Sequence, residues 1–102
     1  MHVITRKRLR EFAEQHPDSA EALERWYRHL RQARWESIQD VRGVYPRADA
    51  VAVKSGNTVT VFNIGGTKYR LLAAIHYNRQ RVYVLRVLRH SEYTRAAWKD
   101  TL

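Results

Sequence analysis

The chain has 102 residues, 44% of them hydrophobic and 28% charged, which suits one folded domain and excludes a wholly disordered chain. Lys and Arg total 19 against 10 Asp and Glu, a formal charge of +9, so the expected partner is a polyanion or an acidic surface. With no cysteine there can be no disulfide, thiolate nucleophile or zinc–thiolate site, and no apolar run is long enough to span a membrane.

In chain order, His2-Val3-Ile4 reads as a short edge strand. Thr5 is placed to N-cap a helix over 6–15, with Leu9, Phe12 and Ala13 on one face. The opening residues lack the apolar segment and cleavage site of a signal peptide, and the absence of cysteine fits the expectation of a reducing cytoplasm. His16-Pro17 ends the helix, because a residue before proline leaves the helical region. Asp18-Ser19-Ala20-Glu21 has the spacing of a capping box for a second helix. Leu23, Trp26, Tyr27, Leu30 and Ala33 then follow at helical spacing and predict a core face. Trp26 and Trp35 as RNA-stacking platforms is the weaker reading. Ser37 can cap one more short helical segment, Ile38–Val44, closed by Tyr45-Pro46.

After Pro46 the pattern changes to β-branched residues. Turn signals at Ser55-Gly56-Asn57, Gly65-Gly66 and Asn78-Arg79-Gln80 divide it into strands over 49–54, 58–64, 67–77 and 80–89. Ser91 onward, through Trp98, reads as a short C-terminal helix. The expectation is a single α+β domain over 1–102: two N-terminal helices packed on a four-stranded antiparallel meander, with a short C-terminal helix.

Charge is uneven along this frame. Residues 1–36 carry +2, residues 37–67 carry +1, and residues 68–102 carry +6. Along 68–77 the odd positions Tyr69, Leu71, Ala73, Ile75 and Tyr77 are all apolar or aromatic, so that face should meet the helices. The even positions are Lys68, Arg70, Leu72, Ala74 and His76. Lys68 and Arg70 on one face, about 7 Å apart along a strand, are placed to grip successive phosphates. The plain structural role for Arg70 is a salt bridge to a carboxylate. Strand 80–89 is apolar at both parities, and the sequence leaves open which of Arg81, Arg86 and Arg89 face a site. His90 stands where strand gives way to helix, with Tyr93 about one turn later.

Other chemistries find no support in the spacing. The five histidines show no HxxxH or HxH pattern, so no metal site is expected. Gly65-Gly66 is not a dinucleotide-binding or P-loop motif, and no serine has a nucleophile-elbow context. Residue patterns alone therefore stop at a small basic α+β domain that binds RNA. A non-catalytic RNA- or ribosome-binding module and a protein that docks an acidic partner are its rivals.

The segment Val61-Phe62-Asn63-Ile64-Gly65-Gly66-Thr67-Lys68-Tyr69-Arg70-Leu71-Leu72-Ala73-Ala74-Ile75, with Tyr83 and His90-Ser91-Glu92-Tyr93, closely resembles the HigB toxins of the RelE-like superfamily. So does the opening His2-Val3-Ile4-Thr5 followed by a basic helix. The resemblance covers essentially the whole chain. It implies the toxin of a type II toxin–antitoxin pair: a ribosome-dependent endoribonuclease, or mRNA interferase, that cuts mRNA in the A site. It implies a helix-turn-helix antitoxin of the HigA type, with operator DNA met only through that antitoxin, and no cofactor. The implied chemistry is attack of a ribose 2′-OH on the adjacent phosphate, leaving a 2′,3′-cyclic phosphate and a 5′-OH.

Under that resemblance Arg70 matches the superfamily's strand arginine and would stabilise the phosphate. His90 would exchange a proton, which imidazole does readily near neutral pH. Tyr93 would orient the nucleotide or share the proton transfer. Lys68, Arg89, Arg86, Lys54 and His76 form the expected RNA-binding set. The chain departs from the family pattern at Thr67, where asparagine is frequent, and at Arg89, where threonine often precedes the histidine.

Overall fold

The computed structural model describes all 102 residues. Strand β1 (His2–Ile4) leads into helices α1 (Arg6–Gln15), α2 (Ala20–Gln32) and α3 (Ile38–Val44). Strands β2 (Asp49–Ala52), β3 (Thr58–Ile64), β4 (Tyr69–His76) and β5 (Arg81–Arg89) follow, and helices α4 (His90–Thr94) and α5 (Trp98–Thr101) close the chain. The sheet order is β1-β5-β4-β3-β2. The meander β2 to β5 is antiparallel throughout, as expected.

Two features correct the sequence reading. The sheet has five strands and is mixed, because β1 adds to β5 in parallel, pairing His2 with Arg81 and Ile4 with Tyr83. Three residues carry too little alternation to announce a direction. The C-terminal helix is two helices, broken at Ala96, whose φ of 58° no helix accepts.

The helix starts also differ. Thr5 makes no cap bond; its φ is 67°, and its hydroxyl bonds the Val84 N–H at 3.0 Å and the Val84 carbonyl at 2.9 Å. It turns the chain out of β1 while satisfying the exposed edge of β5. The Asp18–Glu21 capping box does not form: α2 begins at Ala20, and the buried Ser19 hydroxyl donates back to the His16 carbonyl at 2.7 Å. Ser37 likewise makes no side-chain cap, although the helix it precedes has the expected span.

The helices cover one sheet face. Leu9, Leu23, Trp26, Leu30 and Val41 pack there on Phe62, Ile64, Tyr69, Leu71, Ala73, Val82 and Val84. Trp26 meets Phe62 edge-on, with ring centroids 5.4 Å apart. Each Leu or Phe so enclosed stabilises the fold by roughly 1.5–3 kcal/mol. Trp26 and Trp35 are both buried, so neither is a stacking platform. The opposite face carries a smaller cluster of Val53, Val59, Val61, Leu72 and Trp98, the last contributed by α5.

A bulge reconciles the double-sided pattern of β5. Leu72 pairs with Arg86 but Ala73 pairs with Val84, so Leu85 is an extra residue. Side-chain parity reverses there. Val82 and Val84 face the helices before it and Val87 after it, while Leu85 and Leu88 join the opposite cluster.

Candidate active site

The Gly65-Gly66 turn, with φ of 62° and 72°, reverses the chain from β3 into β4. Register then aligns the start of β4 with the end of β5: Tyr69 opposes Arg89 and Arg70 opposes Leu88. The first residue of α4 is tied to the same corner, because the His90 N–H donates to the Lys68 carbonyl at 3.1 Å. Lys68, Arg70, Arg89, His90 and Tyr93, spread over 26 positions of sequence, thus share one end of the sheet.

Arg70 is half-buried on the face away from the helices. Its Nη1 donates to the Thr67 carbonyl at 2.7 Å and the Tyr69 carbonyl at 3.3 Å. Its guanidinium carbon lies 5.3 Å from the centre of the Tyr93 ring. No carboxylate forms an ion pair with it; the six ion pairs of the protein lie elsewhere. A guanidinium oriented by two backbone carbonyls and lacking a counter-ion is an anion-binding group in waiting. Tyr93 is itself fixed. Its ring stacks on Trp98 at 5.4 Å and 15°, and the Trp98 indole N–H donates to the Tyr93 carbonyl at 3.1 Å. The imidazole of His90 is exposed at the rim.

Arg86 stands beside Arg70. It pairs with Leu72, one inter-strand pair beyond Arg70 and Leu88 on the same face, and it makes no ion pair. It also lines the groove between α1 and β5 with Arg8, Glu11 and Phe12. The bulge is what brings it round.

Lys68 departs from the expected geometry. The strand begins one residue later, so parity does not govern Lys68, the last residue of the turn. Its Nζ pairs with the Asp18 carboxylate on the helix side, away from Arg70. The Tyr69 hydroxyl donates to both oxygens of that carboxylate, at 2.8 and 2.9 Å. These bonds hold the Asp18 carboxyl below its ordinary range, the Lys68 bond first and the Tyr69 bond second. Hydrogen bonding to Asp18 raises both Lys68 and Tyr69.

Arg89 is engaged too. Glu92 Oε1 accepts from the Arg89 backbone N–H at 3.0 Å and from its Nε at 3.1 Å, capping α4. Those bonds, the backbone one first, lower the Glu92 carboxyl. His76 is not part of this corner. It lies at the far end of β4, about 20 Å from Arg70 at the usual rise per residue, with its ring 5.1 Å from Tyr83. There it lines a separate cavity with Val53, Val59 and Leu85. Lys54 sits in the β2–β3 hairpin, where its N–H donates to the Lys99 carbonyl at 2.9 Å.

Sequence reasoning missed Asp18, Glu92 and Trp98. Asp18 gave a misleading signal, that of a cap, and its true partners lie 50 and 51 residues away. Glu92 sits three residues after the cap position, a recognisable spacing, but the cap residue is an arginine. Trp98 follows Tyr93 by five residues, which is off helical spacing because of the break at Ala96.

Known proteins align with this chain. The family model for HigB_toxin, the RelE-like toxic component of a toxin–antitoxin system, matches residues 19–96. A curated mRNA interferase toxin HigB of Escherichia coli is 29% identical over 93 residues, covering 91% of this chain and 88% of its own. An mRNA interferase HigB of Shigella flexneri aligns with the same identity and coverage. The matched segment contains Lys68, Arg70, Arg86, Arg89, His90 and Tyr93, whereas Asp18 and Trp98 fall just outside it.

Proposed function

We infer that this chain, which belongs to the HigB family of RelE-like toxins, is the mRNA-cleaving toxin of a toxin–antitoxin system. The active site is the corner where β4, β5 and α4 meet. The observation that carries this placement is Arg70: a guanidinium aligned by two carbonyls, without a counter-ion, beside the Tyr93 ring, at the corner where the His90 N–H bonds the Lys68 carbonyl.

In the proposed reaction a ribose 2′-oxygen attacks the adjacent phosphorus and the bond to the 5′-oxygen breaks. The 2′-OH loses a proton and the departing 5′-oxygen gains one. His90, exposed at the rim, exchanges one of these protons. Arg70 meets the charge that grows on the non-bridging phosphate oxygens. Tyr93, backed by Trp98, offers a ring against which a base or ribose is oriented. Arg86 extends the cationic track to a neighbouring phosphate. Arg89 and Lys68, already held by Glu92 and Asp18, shape the rim rather than lead the phosphate contact.

The mRNA is met on the translating ribosome, in the A site, which places the protein in the cytoplasm. The whole chain, 1–102, acts as one domain. Its antitoxin is a helix-turn-helix protein of the HigA type, through which alone it meets operator DNA. The test is product chemistry. Wild-type protein acting on a translated mRNA should leave 5′-OH and 2′,3′-cyclic phosphate ends, and Arg70→Ala should lower that cleavage by about 100- to 1,000-fold. Ends bearing a 5′-phosphate would contradict the mechanism. Undiminished cleavage by a folded Arg70→Ala variant would contradict the site.

A further inference from the structure

Asp18 lies in the single 3₁₀ turn between α1 and α2, outside the corner that holds Arg70 and His90. One carboxylate there binds two groups from the opposite layer: the Lys68 ammonium and the Tyr69 hydroxyl. Tyr69 is 6% exposed, and its ring meets Phe12 edge-on at 5.2 Å and His16 at 5.6 Å, while His16 stacks on Phe12 at 4.3 Å. The Tyr69 hydroxyl is therefore aimed by the core, and it fixes where the carboxylate sits. That carboxylate in turn holds Lys68, the residue whose carbonyl receives the His90 N–H and which is two positions from Arg70.

We propose that Asp18 is a positioning residue: through Lys68 and Tyr69 it holds the turn at 65–68, and so fixes the start of α4 and the backbone carbonyl of Thr67 that aligns Arg70. Lys68 then serves as a strut and not as a phosphate ligand. This role rests on the site assignment above. It follows from connectivity: the Asp18–Lys68 contact continues through the Lys68 carbonyl to His90, and the Thr67 carbonyl that accepts from Arg70 belongs to the same turn. A surface ion pair by itself fixes little. The Tyr69 hydroxyl, presented from a buried ring, makes this one a bracket.

The experiment is a double-variant cycle on the full chain, using Asp18→Asn, Lys68→Met and both together. Cleavage of a translated mRNA and hydrogen exchange at the His90 amide are read in parallel. Each single variant should lower kcat by about 10- to 100-fold, the scale of a small misplacement at a reacting centre. KM should stay within about twofold, and the double variant should be no worse than the worse single, because the two act as one unit. The His90 amide should exchange faster in all three. A raised KM for Lys68→Met, with Asp18→Asn unaffected, would overturn the inference and make Lys68 a phosphate ligand. So would unchanged His90 exchange, a reading that needs no catalysis. Wild-type protein that fails to cleave would instead sink the functional assignment, leaving the exchange data to decide the bracket. Cleavage that needs Arg70 but is indifferent to Asp18 would sink the bracket alone.

Discussion

Arg70 and Lys68 are both cations at the head of β4, yet they are not equivalent. Arg70 is held by carbonyls and has no counter-ion, whereas Lys68 is spent on Asp18. Replacing Arg70 by Lys keeps the charge but loses the planar fork that two carbonyls orient. Single-turnover cleavage by Arg70→Lys should fall nearly as far as that of Arg70→Ala; full activity would show that charge alone suffices. His90→Ala should keep the fold and lose at least about 100-fold in rate, the lower range for a proton-transfer group. Near-normal cleavage by that variant would remove His90 from the mechanism. Two carboxyls make stability pH-dependent. Asp18 and Glu92 are both lowered by hydrogen bonds that the unfolded chain lacks. Their contribution is therefore complete above the ordinary carboxylate range, and is lost as pH falls through their folded values. Melting temperature measured from about pH 7 down to about pH 3 should decline. Asp18→Asn combined with Glu92→Gln should flatten that limb, and an unchanged slope would contradict the assignment.

Among the elements, the long periodic ones were legible and the irregular ones were not. The helical stripe Leu23, Trp26 and Leu30 and the odd positions Tyr69, Leu71 and Ala73 of β4 are buried where alternation put them, with Ile75 partly so, because each repeats often enough to define a face. Helices Arg6–Gln15 and Ile38–Val44 and strand Thr58–Ile64 have the bounds their flanking residues implied. The Leu85 bulge escaped because one inserted residue looks, in sequence, like a strand apolar on both sides. Yet that bulge is what puts Arg86 on Arg70's face. In the site, the resemblance named Arg70, His90 and Tyr93; Arg70 lies 5.3 Å from the Tyr93 ring and the His90 backbone is tied to the same corner, while Lys68's partner was hidden 50 residues away. The break at Ala96 hid Trp98, which packs under Tyr93 and closes the smaller cluster. Trp98→Ala should cost about 3 kcal/mol and reduce cleavage, with Trp98→Phe recovering much of both. Unaltered thermal stability and unaltered cleavage would mean that α5 is dispensable.

At the scale of the whole molecule, the +9 charge is concentrated in the segment that builds the corner, since residues 68–102 carry +6. With Lys68 and Arg89 paired to carboxylates, Arg70 and Arg86 are the unpaired cations at the corner's end of the open sheet face. Binding to single-stranded RNA should therefore weaken with salt, and neutralising Arg70 or Arg86 should each lower the slope of log K against log salt by about 0.7. Lys68→Met should leave that slope unchanged, and a drop equal to Arg70's would contradict the pairing. Charge and binding do not by themselves make an enzyme; turnover does. The most direct measurement is a map of 5′ ends on a defined mRNA in a purified translation system, with and without ribosomes, for the wild-type chain and Arg70→Ala. New 5′-OH ends at codon-phased positions are predicted only where ribosomes and the wild-type chain are both present. No new ends in any lane, from protein shown to be folded, would contradict the account.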